Sequence, residues 1–94
     1  MPYFALIYHL FDDYMERRAP LRSQHLALAN LAHARGELVL AGAFSEPADK
    51  ALLVFHGADK SVAELFAKND PYIINGLVKH WEVRPWTVVI GNAD

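Results

Sequence analysis

The 94-residue chain contains no cysteine, which removes disulfide frameworks, thiolate nucleophiles and cysteine-based metal centres at once. No apolar run approaches the about 20 residues that a membrane helix needs, and the apolar N-terminal stretch lacks the basic leader and small-residue cleavage site of a secretory signal. There is no glycine-rich phosphate loop, and no serine stands in a nucleophile setting. Charge of neither sign accumulates: nine Lys and Arg against eleven Asp and Glu give a net charge of −2, and they are scattered along the chain. Neither a nucleic-acid partner nor a membrane is therefore expected. These absences point to a soluble, cytoplasmic protein that forms one domain over residues 1–94, without internal repeats or linkers.

What is present is a regular order of elements. Pro2 to Leu10 is rich in aromatic and branched residues and reads as a strand, after which Asp12 and Asp13 offer capping oxygens for a short helical turn. Pro20 is tolerated at the first position of a helix, so the main helix is predicted over Pro20 to Arg35, stopped by Gly36. Leu21, His25, Leu28, Leu31 and Ala32 are read as its apolar face, with Leu26 off that stripe. Leu38 to Phe44 and Ala51 to His56 form a hairpin across a loop from Ser45 to Lys50. Ser61 and Glu64 are spaced as a capping box for a second helix carrying Val62, Leu65 and Phe66. A last strand is expected from Val78 to Ile90, with Pro85 marking a bulge or an edge position.

The order βαββαβ in so short a chain points to a ferredoxin-like α+β fold, an antiparallel sheet with both main helices on one face. All strands are apolar on both sides, whereas two helices cover only one. The second sheet face is therefore expected to meet another copy of the chain, giving a homodimer.

Asp70-Pro71-Tyr72 is the most informative short motif. Proline keeps the preceding residue out of the helical region, so Asp70 either ends the second helix or caps a short one running from Pro71 to Gly76. Its candidate partner is His25 on the main helix, and a His–Asp pair suits proton transfer near neutral pH. The alternatives are a hydrogen-bonded core histidine and a simple N-cap. Arg22, one turn before His25, is a candidate for binding an anionic group or for a surface salt bridge. Tyr8, Tyr72 and Trp86 are candidate pocket walls, or core and interface residues. Arg17, Arg18 and Arg22 together read as a solvated helix face. No metal or cofactor is expected: His25 and His33 lie on different sides of their helix, and His80 with Glu82 supplies only two ligands on one strand face. His9 and His56 carry no signal.

Arg22 three residues before His25-Leu26, Gly36 after the helix, Ala41-Gly42 at a strand end, then Asp70-Pro71-Tyr72, Gly76-Leu77 and Glu82-Val83-Arg84-Pro85-Trp86 form an ordered set. Over almost the whole chain this set resembles the YciI-like (YCII-related) family of small proteins. The resemblance implies a ferredoxin-like unit that pairs into a dimeric α/β-barrel-like assembly. It also implies an active site built on a histidine and an aspartate at the positions of His25 and Asp70, and lyase-like activity in some members. Where many members carry a Gly-Gly-Pro turn and a Gly-Ser, this chain has Ala43-Phe44 and Ala51-Leu52. Three functions are thus open: a cofactor-independent lyase or isomerase acting on a small, anionic molecule, a metabolite-binding or regulatory module, and a structural dimer.

Overall fold

A computed structural model describes residues 2–91. The first strand, β1 (Tyr3–Leu10), leads through a short helix, α1 (Tyr14–Arg17), and a 3-10 turn (Ala19–Leu21) into the long helix α2 (Arg22–Ala34). Strands β2 (Leu38–Ala43) and β3 (Lys50–His56) follow, then helix α3 (Ser61–Asn69), the one-turn helix α4 (Pro71–Ile74) and strand β4 (Val78–Trp86). The sheet order is β2-β3-β1-β4 with every neighbouring pair antiparallel, the arrangement of a ferredoxin-like α+β fold.

Alternation along β1 divides the sheet. Phe4, Leu6, Tyr8 and Leu10 are buried beneath the helices, while Tyr3, Ala5, Ile7 and His9 turn to the other side because successive side chains point to opposite faces. The register carries that division across the sheet, with Leu6 opposite Leu53 on β3 and Val83 on β4. Small residues seat the helices on it: Ala29 and Ala32 of α2 and Ala63 and Ala67 of α3 are all buried. Phe66 fills the space between them and packs on Phe55 with ring centroids 5.2 Å apart. Burying large side chains such as Leu6 and Phe55 stabilises the fold by about 1.5–3 kcal/mol each.

Several local expectations change. The main helix begins at Arg22, with Pro20 in the preceding 3-10 turn. Leu31 is exposed and Ala29 buried: at 100° per residue Ala29 lies within about 60° of both His25 and Ala32, whereas Leu31 falls about 100° from Ala32 and about 160° from Ala29. Asp13 precedes α1 but makes no side-chain cap; its carboxylate pairs instead with Arg17, 3.6 Å away. The capping box is replaced too. Asp59 Oδ1 accepts from the Ser61 backbone N–H at 2.9 Å, and Glu64 stands 3.9 Å from Lys60 Nζ. Bonds from the Ser61 hydroxyl and N–H hold the Asp59 carboxyl below its ordinary pKa. Strand β4 ends at Trp86, short of Ile90. Pro85 lies within it without a register shift, as an edge strand permits.

Candidate active site

Two chain reversals fix the corner that carries Asp70. Asp70 is extended (φ −74°, ψ 121°) and Pro71 opens α4; the Asp70 carboxylate accepts from the Tyr72 backbone N–H at 3.0 Å. At the far end of α4, Gly76 takes φ +76°, a left-handed conformation that glycine adopts without a Cβ penalty. Its N–H donates to Ile73 O at 3.1 Å and the Leu77 N–H to Tyr72 O at 2.9 Å, the paired bonds of a Schellman C-cap. Arg17 adds a clamp from α1, donating to Asn75 O at 3.1 Å and Gly76 O at 3.2 Å. The arginine that read as part of a solvated face thus fastens the helix that holds the aspartate.

Asp70 is fully buried, and three donors meet its carboxylate. Besides Tyr72 N–H, the Tyr8 hydroxyl donates to Oδ2 at 2.7 Å and His25 Nδ1 lies 2.9 Å from Oδ1. An ionised carboxylate only accepts, so this contact puts the proton on Nδ1 and leaves the Nε2 lone pair on the far side of the ring. The His25 ring is also held by stacking on Tyr72 at 4.0 Å and 9°, and Phe66 meets it edge-on at 6.4 Å. Burial, then the negative charge of Asp70, pushes the Tyr8 phenol far above its ordinary range, so Tyr8 remains a donor.

A cleft of about 270 Å³ opens beside this triad. Its walls are Tyr8, His25 and Tyr72 with Tyr14, Arg18 and Arg22, and the short side chains of Ala41, Ala43 and Ala51 leave the space open on the sheet side. Leu26, the residue off the apolar stripe, lines the same cleft. Arg22 makes no ion pair among the described residues. Arg18 lies over the Tyr14 ring at 5.6 Å, and Tyr14 meets Tyr72 edge-on at 5.7 Å. The Tyr72 hydroxyl is buried without a hydrogen-bond partner among the described residues. Burial raises its pKa, with Tyr14 acting the same way and Arg22 and Arg18 opposing.

Of the residues singled out in the sequence, His25, Asp70, Arg22, Tyr8 and Tyr72 come together. Tyr8 does so as part of the floor, its hydroxyl committed to Asp70 rather than free as a polar tip. Trp86 does not join them. It pairs with Tyr3 on the opposite sheet face, beside Ala5, Ile7 and Leu52. The period of two along β4 turns Trp81 and Val83 toward the core instead. Tyr14 was missed and Arg18, read with Arg17 as part of a solvated face, lines the cleft instead; the available signal was an aromatic four residues before an arginine, which places both on one side of a helical turn.

The family model of the YCII-related domain matches residues 1–87. The chain belongs to the YCII-related family. No curated protein matches the sequence. Among solved structures, this YCII-related chain is similar to 5-chloro-2-hydroxyhydroquinone dehydrochlorinase (TftG) from Burkholderia phenoliruptrix, in complex with 2,5-dihydroxybenzoquinone. The TM-score is 0.76 at 17% identity, covering 90% of this chain and 93% of that one. It is also similar to a NIPSNAP family protein from Agrobacterium tumefaciens (TM-score 0.61, 14% identity, 97% of this chain and 95% of that one). A third is an antibiotic biosynthesis monooxygenase (TM-score 0.56, 11% identity, 95% and 99%). At these identities the likeness establishes the shared fold.

Proposed function

We propose that this YCII-related protein is a cofactor-independent enzyme that moves a proton on a small, anionic, unsaturated substrate, in an elimination or isomerisation. The observation that carries the reading is the 2.9 Å contact between His25 Nδ1 and the buried Asp70 at the wall of a cleft that Arg22 also lines. Asp70 fixes the imidazole tautomer, and Nε2 takes the proton from the carbon or hydroxyl next to the substrate's carbonyl. The electron pair of the broken bond forms the new double bond; in an elimination the leaving group departs with its own pair, and in an isomerisation the imidazolium returns the proton elsewhere. Asp70 stabilises the imidazolium meanwhile.

Arg22 holds the anionic group through two parallel hydrogen bonds, with Arg18 adding positive charge and the flat rings of Tyr72 and Tyr14 walling the site. The cleft lies just below the about 300–1,000 Å³ typical of drug-sized ligands, which suits a single small ring or a short acid. The quinone-bound dehydrochlorinase of the same fold supports a ligand of that kind.

The outer sheet face supports assembly as a homodimer. Leu40, Phe44 and Trp86 are exposed on it around Ile7 and Leu52, and contiguous exposed apolar surface of this kind marks interaction sites.

The reading is tested by a thermal-shift screen of aromatic and unsaturated acids, followed by turnover assays on each stabilising compound. His25→Ala is expected to lower turnover about 10²- to 10⁴-fold with a smaller change in binding, and Arg22→Ala to weaken binding chiefly. Turnover that survives His25→Ala would end the assignment of His25 as the base, the one imidazole that lines the cleft among the described residues, and the absence of turnover on any stabilising compound would end the enzyme reading.

A further inference from the structure

Strand pairing assembles a second cluster on the sheet face away from the cleft. The register sets His9 of β1 directly opposite His80 of β4, with Glu82 opposite Ile7. Side chains two apart on a strand share a face, so all three donors converge. His9 Nε2 is 3.6 Å from Glu82 Oε1, the two imidazole centroids are 5.3 Å apart, and one ligand atom from each residue lies within 4.8 Å of the others. In sequence only His80 and Glu82 are neighbours. The third donor comes from the other end of the chain, which is why the sequence offered two ligands and no site.

The geometry points to a binding site for a single borderline divalent cation of the Zn²⁺ type: we propose that His9, His80 and Glu82 ligate it and leave one position open. Bonds of about 2.0–2.2 Å in a tetrahedron set neighbouring ligand atoms about 3.4 Å apart. The His9–Glu82 edge at 3.6 Å already has that span. The other separations, within 4.8 Å, close by rotation of side chains that are exposed (His80) or about one-third exposed (His9 and Glu82) in the chain. Two neutral imidazoles and one carboxylate suit Zn²⁺, Ni²⁺ and Cu²⁺, and they discriminate against Mg²⁺ and Ca²⁺, which prefer oxygen ligands. Lys50, opposite His9 on β3, is the nearest cation in the register and opposes the added charge. It sets the site toward moderate affinity.

Tag-free protein titrated with ZnCl₂ in a calorimeter, with the imidazole protons followed by NMR, tests the proposal. The expected result is one Zn²⁺ per chain, with the His9 and His80 resonances shifting together and no response to MgCl₂. His9→Ala and His80→Ala are each expected to weaken binding by at least about tenfold, Glu82→Gln to weaken it less, and His33→Ala to leave it unchanged. His80→Gln serves where the alanine variant loses the fold. Failure to take up zinc in excess metal overturns the proposal. So does uptake indifferent to both histidine substitutions, or uptake that vanishes only with His25→Ala.

Discussion

The two faces of the sheet are built from the same strands and do opposite things. On the inner face, Leu6, Tyr8, Leu53 and Phe55 are sealed under α2 and α3, and the polar group admitted there, Asp70, has a donor for each of its lone-pair directions in use. On the outer face, Leu40 is 72% exposed and Phe44 51%, with charged and imidazole groups at the rim and no covering element among the described residues. A closed face makes a buried charge affordable by satisfying it locally. The open apolar face is the one that the proposed homodimer would cover.

The largest effect that would sharpen this contrast lies at Asp70. Asp70→Ala leaves Tyr8, Tyr72 N–H and His25 without their acceptor, and a loss of about 3–5 kcal/mol is expected in chemical denaturation. Asp70→Asn keeps an oxygen for Tyr72 N–H and His25 and turns an amide donor toward the Tyr8 oxygen. It should retain most of that stability while removing the charge that supports the imidazolium. Equal losses for the two variants would show that the negative charge of Asp70, and not its shape or an accepting oxygen, carries the stabilisation.

Leu40→Glu is expected to act on assembly. In sedimentation at micromolar concentration the wild type should be a dimer and the variant a monomer, with little change in the cleft. A wild type that remains monomeric and soluble would break the contrast, leaving the outer face as a surface that needs no partner.

Tyr8 gives the inner face an alkaline limit. Its folded pKa is raised above the ordinary 10.0 by burial and by Asp70, so the stability it contributes is fully present below about pH 10 and is lost as pH climbs beyond that value. Tyr8→Phe should cost about 1–3 kcal/mol at neutral pH, as the hydroxyl's bond to a charged group is lost, and should flatten the alkaline limb of a stability–pH curve. An unchanged limb would assign it to other groups.

The smallest effect is at the start of α3. The folded pKa of Asp59 is depressed, so its contribution is present above the ordinary carboxylate value and disappears as pH falls through the folded one. Asp59→Ala should slightly destabilise the protein at neutral pH and not in acid, which paired melting curves would reveal.

The element order, the pre-proline stop at Asp70, the glycine after each of α2 and α4, and the family set by the ordered motifs were all legible in the sequence. They depend on backbone conformation and on periodicity, which act over a few residues. The His25–Asp70 contact was legible as a possibility, because two helices on one face bring such positions near. Other assignments required the register. A strand's period of two does not say which set faces the helices, and only pairing with β1 put Trp86 outside and Trp81 within. Arg17 looked like solvent-exposed charge until α4 ended against it, and Leu31 looked apolar enough for the core until α2 was rotated by its contacts. His80 and Glu82 were legible as two donors on one strand face, but His9 carries no sequence pattern that joins it to them, since proximity across antiparallel strands is fixed by hydrogen-bond register between distant segments. The sequence by itself settled what each segment is; the tertiary structure decided which side chains meet, because contact between segments is a cooperative property of the packed sheet and helices and belongs to none of them alone.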